Sequence, residues 1–309
     1  MQKGFNCYHF IPANRTGFLD KIRDFSKYNN FKIIIDLEDS ITDVFDEGNA
    51  IKIKTEAREN LIKNIDQLKG FEYFIRINNP NSIHYEEDKK VINFLFSSEY
   101  KPEGIVIPKT NSFEDIKIVS DYIKQENHKI IPLIETKKGI ANLEEILEHK
   151  NISSIIFGHH DYFYDLQVFP IPNSIIDSKL YRKVVNEISQ KLNGKDIEFI
   201  DGIHPLLDDA KGLKDSLQYL FNLEKTRALG KLSIHPKQIE TILNFSPTND
   251  EVILYNKDEL DNKEKLVFAK EIINCYEDRI KDRGITKMGN RYISPQMYLQ
   301  AKKDINEME

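Results

Sequence analysis

A chain of 309 residues, 40% apolar and 30% charged, has material for a large core under a solvated surface. Its formal net charge of -6 excludes a broadly basic nucleic-acid or anionic-membrane face but leaves room for a local phosphate pocket. No apolar run reaches the roughly 20 residues of a membrane helix. The opening MQKGFNCYHFIPANR has no signal-peptide core, and two cysteines, Cys7 and Cys275, build neither a disulfide framework nor a Cys-rich zinc site, so a cytoplasmic protein with reduced thiols is expected.

Runs of β-formers alternate with stretches of helical period. Strands are predicted at 5–11 (FNCYHFI), 31–37 (FKIIIDL), 71–77 (FEYFIRI), 103–107 (EGIVI), 129–134 (KIIPLI), 151–157 (NISSIIF), 197–201 (IEFID) and 230–234 (GKLSI). Helices are predicted near 16–28, 48–67, 85–97, 112–125, 138–149, 176–192 and 208–228, with another from Pro236. Asn111 or Ser112 can cap the fourth helix and Asp208 or Asp209 the seventh; Gly70, Gly194 and Gly230 fall where helices should stop.

Strict alternation predicts a parallel sheet. Eight units over about 240 residues fit a closed (β/α)8 TIM barrel. The first strand exits into PANR rather than a Gly-rich phosphate loop, which argues against an open dinucleotide-binding sheet. The barrel is expected over 1–245. In the remainder, 246–309, residues 249–283 read as one long charged helix, and 284–309 end in a short one. This helical extension can cover the barrel mouth or contact another subunit.

Barrel enzymes place their chemistry at the C-terminal strand ends. There the sequence puts Arg15, then Asp36, Glu38 and Asp39, then Arg76, Lys109, Glu135, and Gly158-His159-His160-Asp161. Arg76 and Glu135 lie within or directly after apolar runs, so their charges are partly buried and need a partner or an ion. The plain alternatives are ion pairs: Arg76 with the DLED carboxylates, Glu135 and Asp161 with Lys or Arg, and Asp36 with backbone or Lys109. Oxygen ligands converging without cysteine point to a hard divalent ion, Mg2+ with Mn2+ as the alternative. Beside it, an arginine fork suits a carboxylate. On an extended strand His159 and His160 would face opposite ways, which disfavours zinc.

The ordered series FIPANR, IIIDLEDS, FIRINNP, GIVIPKT, PLIETKKGI, IIFGHHDYFYDL, DGIHP and GKLSIHPKQI resembles the HpcH/HpaI aldolase and citrate lyase beta-subunit family, over roughly residues 5–245. The resemblance implies a Mg2+-dependent carbon–carbon lyase or aldolase, usually a homo-oligomer, acting on a small 2-oxo acid or CoA thioester. It implies metal ligation by Glu135 and Asp161, a substrate-carboxylate clamp at Arg76, and Glu38 and Asp39 as the acidic pair that holds metal-bound waters. Gly158 matches a glycine that lets backbone approach the substrate; Arg15 and Lys109 match positive positions near the mouth that suit phosphate or CoA. Asp36 is a further substrate-binding candidate and His160 a catalytic one.

Three departures bear on the activity. His160 stands where the family usually has an acidic residue. The loop DYFYDLQVFPIPN is aromatic rather than Gly-rich. NRYISPQ has no aspartate where CoA-ester lyases of this kind often carry one. A CoA-independent pyruvate or oxaloacetate aldolase, and a non-catalytic ligand-binding or complex subunit on the same barrel, are therefore the alternative readings.

Overall fold

The strands are short because each is built from one β-branched or aromatic run that a charged or turn-forming residue ends. A computed structural model describes residues 4–123, 128–168, 174–224, 227–255, 262–278 and 286–308. In chain order the first half holds β1 (Asn6–Pro12), α1 (Leu19–Ile22), β2 (Phe31–Asp36), α2 (Glu47–Lys63), β3 (Tyr73–Arg76), α3 (Tyr85–Ser97), β4 (Gly104–Ile107) and α4 (Phe113–Tyr122). The second half holds β5 (Lys129–Ile134), α5 (Lys137–Ala141), α6 (Leu143–Ile146), β6 (Ser154–Phe157), α7 (His159–Asp165), α8 (Lys179–Lys191), β7 (Glu198–Asp201), α9 (Ala210–Leu223), β8 (Leu229–Ser233) and α10 (Pro236–Leu243). Every neighbouring strand pair is parallel, and β1 pairs with both β2 and β8, which closes an eight-stranded TIM barrel. Among the described residues no helix is long and apolar enough to cross a membrane.

Side-chain alternation divides the core in two. Tyr8, Ile34, Phe74, Val106, Ile131, Leu133, Ile156, Ile200 and Leu232 point inward and fill the barrel. Their neighbours, such as Ile33, Ile35 and Ile75, point outward against the helices. The end away from the strand exits is closed by Glu198, which accepts from Tyr8 Oη and Asn6 Nδ2 at 2.6 Å and from Ser154 Oγ at 3.1 Å. Between barrel and helices, Lys231 donates to Asp201, and Tyr181 Oη donates to Asp201 at 3.0 Å, all three side chains fully buried.

Capping follows local chemistry. Ser112 and Asp115 form a capping box on α4, and Asp209 caps α9. Gly70 and Gly194 have positive φ, as helix-stop glycines do, whereas Gly230 sits inside β8. A Cβ at Gly230 would lie 2.8 Å from Ile200, so close barrel packing selects glycine there.

Four expectations change. The first helix is one turn, α1, between 3-10 segments at Ala13–Phe18 and Arg23–Lys27. The helix expected over 138–149 divides at Asn142 into α5 and α6. His159, His160 and Asp161 open α7 instead of continuing a strand, because Gly158 leaves the extended conformation and its carbonyl accepts from the Tyr162 N–H at 3.0 Å. The opposite-face argument for the histidines therefore does not apply. Finally, of the long helix expected over 249–283 only α11 (Asn262–Glu277) is helical among the described residues. Residues 249–255 run without helix along α9, held by Thr248 N–H on Gln218 Oε1 at 2.9 Å and Tyr255 N–H on Asp177 Oδ1 at 2.9 Å. Residues 256–261 and 279–283 of that expectation, 124–125 of the fourth helix, 225–226 of the seventh and 169–173 of the aromatic loop lie outside the described residues. After α11 come β9 (Thr286–Met288), antiparallel β10 (Arg291–Ile293) and α12 (Pro295–Met308).

Removing one partner of the Asp201–Lys231 pair leaves a buried charge uncompensated. Lys231→Met is expected to destabilise the fold by about 3–5 kcal/mol, read as a lower urea midpoint; an unchanged midpoint would contradict the assignment.

Candidate active site at the barrel mouth

The strand exits meet in a network of charges. After β2 the chain turns through Leu37-Glu38-Asp39-Ser40, and the turn is held from beneath. Lys54 of α2 reaches through the core and donates to Leu37 O at 3.0 Å, Glu38 O at 2.7 Å and Asn78 Oδ1 at 2.9 Å. Asn78 in turn donates through its backbone N–H and Nδ2 to Asp88 Oδ2 of α3, at 2.6 and 2.8 Å, and Asp88 pairs with Arg58 at 2.8 Å. Two helices thus fix a loop that would otherwise be free to move.

Above it, Arg76 at the end of β3 makes a two-pronged contact with Asp36: Nε to Oδ1 at 2.7 Å and Nη2 to Oδ2 at 2.5 Å. The Phe10 ring packs 4.6 Å from the guanidinium carbon, and Nη1 lies 3.2 Å from Glu38. Asp36 also accepts from the Glu38 and Ser40 N–H groups, at 2.9 and 3.0 Å. Burial alone would raise the Asp36 carboxyl, but Arg76 outweighs it and holds the carboxyl down at about 2.

Lys109, after β4, has a left-handed backbone with φ 50°, a strained conformation for a residue with a Cβ. This geometry turns its backbone N–H onto Glu135 Oε1 at 2.8 Å, while its ammonium pairs with Glu38 and lies 3.2 Å from Asp39. Burial and then Asp39 push the Glu38 carboxyl up to about 7. Burial opposes ionisation of Asp39 as well, but Lys109 and Arg76 outweigh it and keep this carboxyl below its ordinary value.

Glu135, buried at the end of β5, and Asp161, half-buried in the first turn of α7, share a hydrogen bond. Burial, then Asp161, pushes Glu135 well above the usual carboxylate range; burial, then Asp39, raises Asp161. Gly158 makes the approach feasible, since a Cβ there would stand 2.8 Å from both Cβ and Oε2 of Glu135. Among the described residues no group of three or more His, Cys, Asp and Glu stands in ligating geometry; this pair offers two.

Next to Asp161, His160 is buried, and among the described residues neither of its ring nitrogens has a hydrogen-bond partner. Burial, then His159, pushes its pKa well below the ordinary value, so the ring is neutral. Over the mouth stands the hairpin of β9 and β10. Arg291 bridges to Leu206, Leu207 N–H donates to Asn290 O at 3.0 Å, and Tyr292 N–H donates to Pro205 O at 3.0 Å, which sews the hairpin to the loop after β7.

The cavity at the mouth measures about 620 Å³. Of the sequence candidates, Arg15, Asp36, Asp39, Arg76, Glu135, Gly158, His160 and Asp161 line it. Glu38 and Lys109 do not, because each is drawn into the ion-pair network behind the wall. Three expectations change accordingly. The Lys109 ammonium is engaged with carboxylates rather than presented to a phosphate. Asp36 lines the cavity but spends both oxygens on Arg76 and on the Glu38 and Ser40 N–H groups, and so orients the arginine. Gly158 yields space first of all to Glu135.

Sequence reasoning missed Lys54, whose neighbours Lys52 and Glu56 give it the look of a solvated helix face, and the lid residues Lys287, Tyr292, Ser294 and Gln296 that line the cavity. The available signal for the lid was Gly289-Asn290 between two short β-forming runs, a hairpin turn.

The profile of the HpcH/HpaI aldolase/citrate lyase family matches residues 9–223. A citrate lyase subunit beta-like protein from Deinococcus radiodurans is 27% identical over 247 residues, covering 77% of this chain and 79% of that protein. A (3S)-malyl-CoA thioesterase from Cereibacter sphaeroides is 26% identical over 258 residues, covering 82% and 81%. Among solved structures, CitE from Mycobacterium tuberculosis in complex with magnesium, acetoacetate and coenzyme A has a TM-score of 0.61 at 18% identity, covering 100% of this chain and 99% of that one. RipC from Yersinia pestis has 0.58 at 23%, covering 79% and 96%. These two likenesses concern the fold.

The Asp36–Arg76 pair sets an acid limb for stability. Because the folded carboxyl titrates near 2, below an ordinary aspartate, its contribution is complete above about pH 4 and is lost as the pH falls toward 2. Arg76→Met is expected to cost about 3–5 kcal/mol at pH 7 and to flatten that limb. Urea midpoints measured from pH 7 downward check both; an unaltered slope would contradict the pairing.

Proposed function

Because the chain belongs to the HpcH/HpaI aldolase/citrate lyase family, we propose that it is a Mg2+-dependent carbon–carbon lyase or aldolase acting next to a carbonyl of a 2-oxo acid or CoA thioester. The observation that carries this reading is the Glu135–Asp161 pair. A buried carboxyl in contact with a half-buried one, both pushed toward their protonated forms, is what a divalent cation between oxygen ligands relieves. The hard oxygen donors fit Mg2+, with Mn2+ as the substitute, and Glu135 and Asp161 are the residues that would hold it. When bound, the ion supplies Lewis-acid polarisation of a carbonyl oxygen and offsets the charge that develops there as the bond breaks.

The chain's own groups do the rest. Arg76 has five N–H groups and Asp36 takes two, so the guanidinium stays oriented and still borders the cavity as a clamp for a carboxylate. Lys109 orients Glu135 through its backbone N–H. Asp39 borders the cavity, while Glu38 behind it neutralises Lys109. His160, held neutral, has both ring nitrogens available to hydrogen-bond a ligand without adding charge. Apolar walls from Ile203, Leu207 and Ile234 limit the water that reaches the clamp. Arg15 and Lys287 at the mouth give a CoA phosphate cationic partners.

The bound acetoacetate and coenzyme A of the Mycobacterium tuberculosis protein support this substrate class. The relative from Cereibacter sphaeroides favours a second reading, hydrolysis of a CoA thioester at the same site. Proton NMR in D2O separates them. Carbon–carbon chemistry predicts Mg2+-dependent deuterium exchange into the methyl group of pyruvate or acetyl-CoA, abolished by EDTA and reduced about 1,000-fold or more in Asp161→Asn. With (3S)-malyl-CoA as probe, glyoxylate and acetyl-CoA mark cleavage, whereas malate and free CoA mark hydrolysis. No exchange and no product with saturating Mg2+ would overturn both readings.

A further inference from the structure

Among the described residues, the lid side chains that line the cavity are Thr286, Lys287, Tyr292, Ser294 and Gln296, with no carboxylate among them. β10 alternates buried Arg291, half-buried Tyr292 and buried Ile293, so Tyr292 takes the strand face opposite its neighbours, and that face lines the cavity. Its backbone is fixed on the Pro205 carbonyl, with the Arg291–Leu206 bridge beside it. Its phenol stands within electrostatic reach of Asp161 first, then Arg76, Asp39 and Asp36, the charged groups that build the site. No described residue hydrogen-bonds to its hydroxyl, whereas the buried phenol of Tyr181 is paired with Asp201. A phenol at neutral pH is an O–H donor, and a half-buried one pointed at a cavity is satisfied only by what the cavity holds.

We infer that Tyr292 is a substrate-binding residue, the hydrogen-bond donor by which this chain's own lid closes on an oxygen of the acid held between Glu135–Asp161 and Arg76. The lid thereby contributes a neutral donor to the site. A neutral donor adds no further negative charge to a site already rich in carboxylates. It favours an anionic ligand with an exposed oxygen, such as the carboxylate or the oxo group of a 2-oxo acid.

This inference rests on the proposed Mg2+ site, so the test reads the two apart. Isothermal titration measures first Mg2+ and then oxalate, a planar dicarboxylate probe, on wild type and on Tyr292→Phe, which keeps the ring and its packing. The expected result is unchanged Mg2+ affinity and an unchanged melting temperature, with oxalate binding weakened about tenfold by loss of one hydrogen bond. Equal oxalate affinity in both proteins overturns the inference and leaves the metal reading standing. A loss of Mg2+ affinity in Tyr292→Phe also overturns it, since the hydroxyl would then serve the ion site. Wild type that binds Mg2+ but no oxalate overturns it likewise, and wild type that binds neither overturns the metal reading with it.

Discussion

The site is organised around a surplus of buried negative charge. Asp36, Glu38, Asp39, Glu135 and Asp161 converge from three strand ends, and the cations set among them are Lys54, Arg76 and Lys109. Charge removed from water has to be neutralised, paired or protonated. Near β2 and β3 pairing holds Asp36 and Asp39 below the ordinary aspartate range, while Glu38 between them is raised to about 7. At β5 and β6 pairing does not suffice, and Glu135 and Asp161 are forced toward their protonated forms. An unmet demand for positive charge therefore stands at the Glu135–Asp161 pair.

The rest of the fold serves that arrangement. The far end of the barrel is closed by neutral donors on Glu198, and the helix layer is pinned by Asp201–Lys231, so stability is built at positions the cavity does not touch. Near the mouth the backbone itself is recruited. Lys109 adopts a left-handed conformation to aim its N–H, and Gly158 forgoes a side chain so that Glu135 fits. The C-terminal hairpin is then tied beside the mouth by backbone hydrogen bonds to the loop after β7.

Much of this was readable in the sequence because burial leaves a mark in one dimension. Arg76 and Glu135 stand out as charges attached to apolar runs, and the structure buries both. The alternation of short β-forming runs with helical period names the barrel, whose eight strands all fall within the predicted ones to within a residue or so. What stayed hidden depends on partners distant in sequence. Lys54 has the surroundings of a surface lysine, and only the carbonyls of Leu37 and Glu38 explain its burial. Gly158 was read as serving the substrate, although the atom it avoids belongs to Glu135, on the neighbouring strand. The helix expected over 249–283 is shorter among the described residues because charged residues of good helix propensity look alike whether or not a side chain such as Asp177 captures their backbone.

The central claim is that charge repulsion between Glu135 and Asp161 is a cost the fold bears in order to hold a divalent cation. The most direct measurement is thermal unfolding of wild type and Glu135→Gln at pH 7, each in EDTA and in excess Mg2+. The account predicts a crossover. In EDTA the glutamine variant melts at or above wild type because the repulsion is gone; in Mg2+ wild type rises above it, by about 2.7 kcal/mol at a hundredfold excess over its dissociation constant. Melting curves for wild type that are identical with and without Mg2+ would contradict it.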